Sequence, residues 1–205
     1  MKSRFLLASA VAALIGVAIA CRGTTSPTSA TSLTGPTNPT NPTPNGILWV
    51  MVKDTPFSDA KAVLVTFSEV SVHASGGGWK TLTFADNATS RTCDLKQLQT
   101  AQDILGTATL DAGHYTQVRL TVSSAALYFD NAAAVGACAA TIAAPAGKNA
   151  SIDVPPGKLI LNGQFDLPAA GKITMLLDFD GDKSIIRTGN GKYKMQPVIA
   201  IVSVQ

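Results

Sequence analysis

The chain of 205 residues has few of the features that mark a nucleic-acid-binding protein. Three of its sixteen basic residues, Lys2, Arg4 and Arg22, precede Gly46, so the segment from Gly46 to Gln205 has thirteen basic and thirteen acidic residues. A formally neutral body without a basic stretch does not supply the phosphate neutralisation that nucleic-acid binding requires. We therefore expect no nucleic-acid partner.

Catalytic and metal-binding motifs are also lacking. The sequence contains no HExxH, GxSxG or phosphate-binding glycine loop and no CxxC pair, and its only histidines are His73 and His114. The sequence places no catalytic or metal-binding partner near either histidine, so we interpret both as exposed residues at strand edges. We predict that the protein is not an enzyme and has no cofactor.

One long apolar run is present, at the start of the chain. Phe5 to Ala20 is an uncharged run of sixteen residues that follows the basic Lys2 and Arg4, as in an export signal. A membrane-spanning helix needs about twenty apolar residues, so this run is short for a permanent anchor, and no later run is longer. We expect residues 1–20 to be a signal peptide and the mature protein to have no transmembrane helix.

The residue that follows the leader is a cysteine, Cys21, and the tetrad Ala18-Ile19-Ala20-Cys21 resembles a bacterial lipobox. Ala18 departs from the Leu, Val or Ile that is usual three residues before the cysteine. Ordinary signal cleavage after Ala20 would cut the same bond. In a lipoprotein, the Cys21 sulfur is alkylated by diacylglycerol. The sequence thus predicts an exported protein that is anchored to a membrane of the cell envelope through Cys21.

The chain has three cysteines, and an odd cysteine in an exported protein is free, intermolecular or modified. Lipidation of Cys21 leaves Cys93 and Cys138, and an oxidising compartment favours a disulfide between them. Such a bridge requires their Cα atoms to lie within about 7 Å of each other. The alternative is a reactive or metal-binding thiol, which has neither a CxxC motif nor a nearby histidine to support it.

The chain after Cys21 falls into a spacer and a body. Residues 22–45 are rich in Thr, Pro, Ser and Asn, which cannot form a core and favour extended polyproline II geometry. We expect residues 21–45 to be the lipid-anchored cysteine with a disordered tether, and residues 46–205 to be a single domain.

The body has the patterning of β-strands. Ile47 to Val52 is a continuous apolar run, which predicts a strand covered on both faces and closed by the turn residues Asp54-Thr55-Pro56. Ala62 to His73 predicts a longer strand with a bulge, because its apolar alternation changes phase. Ser184 to Arg187 is predicted to pair with Tyr193 to Val204 across a Thr-Gly-Asn-Gly turn.

Helical patterning is nearly absent from the body. Asp94 to Leu98 is the one short helix that the sequence suggests, with Asp94 as its N-cap. Many short strands, frequent turn residues and almost no helix predict an all-β fold with at most one short helix. The architecture that this pattern favours is an antiparallel β-sandwich of the immunoglobulin-like or transthyretin-like type.

Several short motifs occur in a familiar order along residues 46–205. They are Gly46-Ile47-Leu48, Asp54-Thr55-Pro56, Val65 to His73, Gly78-Trp79, Cys93-Asp94-Leu95, Ala112 to Tyr115, Asp178-Phe179-Asp180, Lys183-Ser184, Gly189 to Tyr193 and Pro197-Val198. Their order and spacing resemble the bacterial domain-of-unknown-function family numbered 4382. The resemblance implies a secreted or lipid-anchored protein without an established activity. It carries over no catalytic residue.

Two features suggest alternative binding roles. Asp178, Asp180 and Asp182 would share one face of a strand, and clustered carboxylates in an exported protein suggest a calcium-stabilised adhesion module. We favour a solvated turn in which these side chains cap local amides, and so predict no metal. Trp79, beside a glycine-rich turn, is the candidate for stacking on a carbohydrate, but we favour packing in the core or the hairpin for it. Trp49 is expected in the core. Carbohydrate and envelope proteins are the partner classes that remain open, as does the oligomeric state.

Overall fold

The computed structural model describes residues 43–55, 57–134 and 136–205. The predicted signal peptide, Cys21 and all of the predicted tether before residue 43 lie outside these residues. Within the described ranges, no helix is both long enough and apolar enough to cross a membrane.

Strands dominate the described residues, where fourteen of them form two sheets. The strands are β1 (Asn45–Thr55), β2 (Ala62–Ala74), β3 (Trp79–Thr81), β4 (Thr83–Phe84), β5 (Arg91–Asp94), β6 (Asp103–Asp111), β7 (Gly113–Tyr128), β8 (Cys138–Ala139), β9 (Asn149–Asp153), β10 (Leu159–Leu167), β11 (Lys172–Asp180), β12 (Ile185–Arg187), β13 (Tyr193–Met195) and β14 (Ile199–Val204). The one α-helix of this part, α1 (Gly181–Ser184), has four residues, and short 3-10 turns cover Ala85–Asn87, Gln97–Gln99 and Gly189–Gly191. The predicted all-β fold with at most one short helix is confirmed.

The two sheets differ in size and in strand order. The smaller has five strands in the order β14-β11-β1-β6-β4, and the larger has nine, built around the long pair β2 and β7. Most pairs are antiparallel, as predicted, but β1 is parallel to β11 and β13 is parallel to β9. The strand β1 therefore lies at the centre of the smaller sheet, with a partner strand on each side.

Burial along β1 alternates, so the prediction of a strand covered on both faces was wrong. Leu48, Val50 and Val52 face the interior and are at most 2% exposed, whereas Trp49 and Met51 are partly exposed on the outer face. The continuous apolar run arises because the outward positions are also apolar. Trp49 is consequently not a core residue, contrary to expectation.

The inward faces of the two sheets form a common hydrophobic core. The rings of Phe67 on β2 and Phe179 on β11 meet edge to face with their centroids 6.3 Å apart, which joins the two sheets. Tyr115 stacks on Phe165 at 5.1 Å, and its hydroxyl donates a hydrogen bond to the Asp111 carbonyl at 2.8 Å. This contact fixes the turn between β6 and β7, because it ties the start of β7 to the end of β6.

The bulge predicted in β2 is present. Its register against β7 shifts between Thr66 and Phe67 and again between Phe67 and Glu69. The shifts let Phe67 and Val70, which are three positions apart, both face the core with no exposed surface.

The last predicted hairpin forms only in part. Ile185–Arg187 pairs with Tyr193–Met195, but the chain then leaves the larger sheet, and Ile199–Val204 pairs with β11 in the smaller one. Pro197 lies at the crossing and has no N–H with which to continue the first ladder.

The predicted helix over Asp94–Leu98 was also wrong. Asp94 ends β5, and a single 3-10 turn follows at Gln97–Gln99. The Asp94 carboxylate accepts hydrogen bonds from the amides of Val63 and Lys96 at 2.9 and 3.1 Å. It therefore ties this turn to β2 instead of starting a helix.

Candidate functional site

The predicted disulfide between Cys93 and Cys138 is present in the structure. The two residues are register partners in the antiparallel pair β5 and β8, with Cα atoms 4.1 Å apart. Beside the bridge, the buried Arg91 guanidinium contacts Asp103 at 3.1 Å, and the Asp103 carboxylate accepts from the Cys138 amide at 3.0 Å. The bridge and this ion pair together hold the alanine-rich segment around Cys138 against β5 and β6.

The three aspartates proposed as an alternative calcium site do not lie on one strand face. Asp178 and Asp180 end β11, whereas Asp182 lies in α1 and is exposed. Asp178 contacts Lys53 at 3.0 Å, and Asp180 accepts from the amide and the ammonium of Lys183 at 3.0 and 2.7 Å. These bonds from Lys183 lower the pKa of Asp180. Asp180 is thus the N-cap of α1, the capping role that the sequence favoured.

Among the described residues, no group of three or more His, Cys, Asp or Glu side chains is arranged to hold a metal ion. Because Asp178 and Asp180 are paired with Lys53 and Lys183, we expect millimolar calcium to leave the melting temperature unchanged. Asp180→Ala should lower the free energy of unfolding by about 1 kcal/mol, because it removes the cap. Asp182→Ala is the matched control and should change it by less than about 0.5 kcal/mol. A calcium-dependent rise in melting temperature that Asp180→Asn abolishes would contradict this interpretation.

A fourth aspartate, Asp54, is buried beside this group. The sequence pattern placed it in the turn that closes the first strand, but it belongs to β1 and is 6% exposed. Its Oδ1 accepts from the Gly181 amide at 3.0 Å, while its Oδ2 has no hydrogen-bond partner among the described residues. Burial, with the neighbouring charges of Asp178 and Asp180, raises the pKa of Asp54 to about 8. The carboxyl is therefore mostly protonated at neutral pH.

Trp79, the alternative carbohydrate-stacking residue, lies at the start of β3 and is partly exposed. The Arg119 guanidinium lies over its ring, 4.2 Å from the centroid, and His73 meets it edge to face at 5.1 Å. Arg119 is held in turn by an ion pair with Glu69 and a hydrogen bond to Ser71 at 3.0 Å. One face of the Trp79 indole is thus covered from within the domain.

Next to Trp79, a row of polar side chains crosses the outer face of the larger sheet. His73, Gln117 and Asn162 are register partners on β2, β7 and β10, and they line an open depression of about 550 Å³. The Gln117 amide donates to the Asn162 carbonyl oxygen at 2.9 Å, so part of its hydrogen-bonding capacity is used internally. The second histidine, His114, contacts Asp166 at 2.8 Å.

The outer face of the smaller sheet carries the second tryptophan, which sequence patterning placed in the core. Trp49 lines a depression of about 360 Å³ together with Ile47, Thr107, Thr109 and the segment 83–87. The Lys172 ammonium lies 3.3 Å from the Trp49 ring centroid. The apolar run around Trp49 could not indicate which way this side chain points, because a tryptophan within such a run is consistent with either face of a strand.

A family model described as "Domain of unknown function (DUF4382)" matches residues 45–197, which confirms the resemblance noted from the order of short motifs. No curated protein and no solved structure is significantly similar to the chain.

Proposed function

Because the chain belongs to the DUF4382 family, whose description assigns it no activity, we propose a function from the cysteines and the sheet surfaces. The protein is an exported lipoprotein that presents one β-sandwich at the cell envelope, held through Cys21. Its role is to bind a ligand or partner, not to catalyse a reaction.

The observation that carries this proposal is the pairing of the cysteines. The Cys93–Cys138 bridge is the kind of structural disulfide that forms in an oxidising compartment, which supports export. With these two residues joined, Cys21 is the remaining cysteine of the three. Its position directly after Ala18-Ile19-Ala20 then favours lipidation, since a leader peptidase would leave it as the first residue of the mature chain.

The non-catalytic role is supported by how the chemically versatile side chains are engaged. His73 contacts Trp79 and Thr116, whereas His114 pairs with Asp166. These partners belong to the packing of the sheet surface. Tryptophans on the outer faces of both sheets, each beside an open depression, favour binding instead.

The anchor is tested by expressing the full chain and a Cys21→Ser variant in a Gram-negative host. We expect the unsubstituted protein to partition into the detergent phase, with the mass of a diacylglycerol group on its mature N-terminus. The variant should lack this mass and should not partition there as a lipoprotein. Thr24→Ala, in the adjacent spacer, is the control and should behave as the unsubstituted chain. An unmodified Cys21 thiol on a mature chain in the aqueous phase would overturn the anchor.

A further inference from the structure

The outer face of the smaller sheet has a depression around Trp49 that is a candidate binding surface. We define the Trp49 surface as Ile47, Trp49, Thr83, Thr107 and Thr109, with Asp86 and Asn87 at its rim; all of them line the 360 Å³ depression. Sites for small ligands occupy roughly 300 to 1,000 Å³, so this depression suits a short oligomer or a single ring with its substituents.

The Trp49 indole is held in place from one side. Lys172 projects from β11, on one flank of β1, and its ammonium packs against the ring at 3.3 Å from the centroid. Thr107 and Thr83 lie on the opposite flank, on β6 and β4. The cation therefore orients the ring from the β11 side, and the depression lies on the other side. Trp49 is partly exposed and lines this depression next to polar side chains.

Threonines flank Trp49 on the neighbouring strands, in one row across the sheet. Trp49 is the register partner of Thr174 on β11 and of Thr107 on β6, and Thr107 is the partner of Thr83 on β4. None of these three threonine hydroxyls has a hydrogen-bond partner in the part of the chain that the structure describes. Each hydroxyl can donate one hydrogen bond and accept others. The row therefore offers several hydrogen-bonding groups at the level of the indole.

The rim adds a carboxylate and an amide. Asp86 and Asn87 both adopt left-handed backbone conformations, with φ of 61° and 53°, a geometry that Asp and Asn tolerate better than other non-glycine residues. The Asp86 side chain is 82% exposed and lies 3.6 Å from Arg91, whose guanidinium also pairs with Asp103 at 3.1 Å. The surface thus combines an aromatic ring with hydroxyl, amide and carboxylate groups.

We propose that the Trp49 surface binds a neutral carbohydrate, with a pyranose ring stacked on the indole. A pyranose presents an apolar C–H face and a rim of hydroxyls, which matches a tryptophan face bordered by threonine, asparagine and aspartate side chains. An extended peptide cannot pair with β1 itself, because β1 already has a strand on each side. The Trp79 site is less suited, because Trp79 does not line the depression beside it, whereas Trp49 lines its own. This inference rests on the proposed binding role but not on the Cys21 anchor.

The test uses the two tryptophans of the chain as reporters. The full chain, labelled with 5-fluorotryptophan and purified in a detergent without a sugar headgroup, gives one ¹⁹F resonance per tryptophan, and Trp79→Phe assigns them. Cellohexaose, xylohexaose and chitohexaose are titrated separately. We expect at least one to shift the Trp49 resonance in a saturable manner and to leave the Trp79 resonance unchanged.

Affinity is then compared between matched variants by calorimetry. Trp49→Ala should weaken binding of the same oligosaccharide by about tenfold or more, and Thr107→Val by about threefold, whereas Trp79→Ala should retain the affinity. Melting curves establish that the variants fold. A panel that shifts neither resonance, or that shifts only Trp79, overturns the proposal. So does a dimer that Trp49→Ala dissociates, because the surface is then an interface between copies. Loss of the Cys21 anchor leaves these outcomes unaffected, so the two proposals fail separately.

Discussion

Replacing Cys93 and Cys138 together by alanine is expected to lower the free energy of unfolding by about 4 kcal/mol. The bridge joins residues 45 positions apart, and on the chain-entropy model closing a loop of that size restricts the unfolded chain by about this amount. Alanine is the appropriate replacement because Cys93 has no exposed surface, where a serine hydroxyl would be buried without a partner. Urea titration of the purified double variant and of the unsubstituted chain gives the difference.

A reductant supplies the control for this experiment. Dithiothreitol should destabilise the unsubstituted chain by a similar amount and should leave the double variant unchanged. After reduction, unfolding should begin locally at β8. This strand has only two residues, and the Asp94 amide donates to the Ala137 carbonyl next to the bridge. Hydrogen exchange at Asp94 and Cys138 should therefore accelerate first. Equal stability of the double variant and the unsubstituted chain would show that the bridge does not form.

Replacing Asp54 by asparagine is expected to stabilise the protein at pH 8. The free energy of unfolding of the unsubstituted protein should fall between pH 4 and pH 8, and the substitution should remove most of this fall. The pKa of Asp54 is raised from 3.8 to about 8, chiefly by burial. In this window the unfolded chain ionises at Asp54 while the folded chain keeps the proton, so the free energy of unfolding falls as pH rises. Below pH 4 both states are protonated, and the contribution of the neutral carboxyl is fully present.

The expected change in the free energy of unfolding follows from the raised pKa of Asp54. At about 1.4 kcal/mol per pKa unit, the full shift corresponds to about 6 kcal/mol, and relaxation of the site on ionisation reduces this to about 3 kcal/mol. Asparagine keeps an oxygen that can accept from the Gly181 amide, as Oδ1 of Asp54 does. The free energy of unfolding of the Asp54→Asn variant should thus be about 3 kcal/mol higher than that of the unsubstituted chain at pH 8. At pH 4 the two values should be equal.

The measurement is urea unfolding at intervals from pH 4 to pH 9. Glu69 and Asp180 have lowered pKa values, so their contribution has the opposite sign: it is present above their unfolded values and is lost below them. They are ionised in both states over most of the window, and the difference between the two curves isolates Asp54. Asp153→Asn, an exposed position on β9, is the control. Curves that run parallel from pH 4 to pH 9 would mean that Asp54 is ionised in the folded protein.

The local patterns of the sequence predicted a large part of the fold. Alternating apolar residues and frequent turn signals were sufficient for an all-β domain, and the phase change in β2 located its bulge, because these features depend on neighbouring residues alone. The odd number of cysteines, together with the predicted export signal, pointed to the Cys93–Cys138 pair. The order of short motifs was sufficient to identify the family over residues 45–197.

The partners of each strand were not predictable in the same way. The parallel pairing of β1 with β11 joins segments more than 100 residues apart, and the path of β14 into the smaller sheet follows the break at Pro197. A pattern with a period of two states that one face of a strand is buried, but not which strand lies beside it.

The sequence by itself therefore determined the strand-rich character of this protein, its family and its cysteine pair, because each follows from residues counted or compared along the chain. Only the tertiary structure decided that Asp54 is buried against Gly181, that Arg119 covers Trp79, and that Trp49 faces outward beside a row of threonines. Each of these contacts depends on which distant strand becomes the neighbour. That choice is made by packing of the whole core, and no short segment contains it.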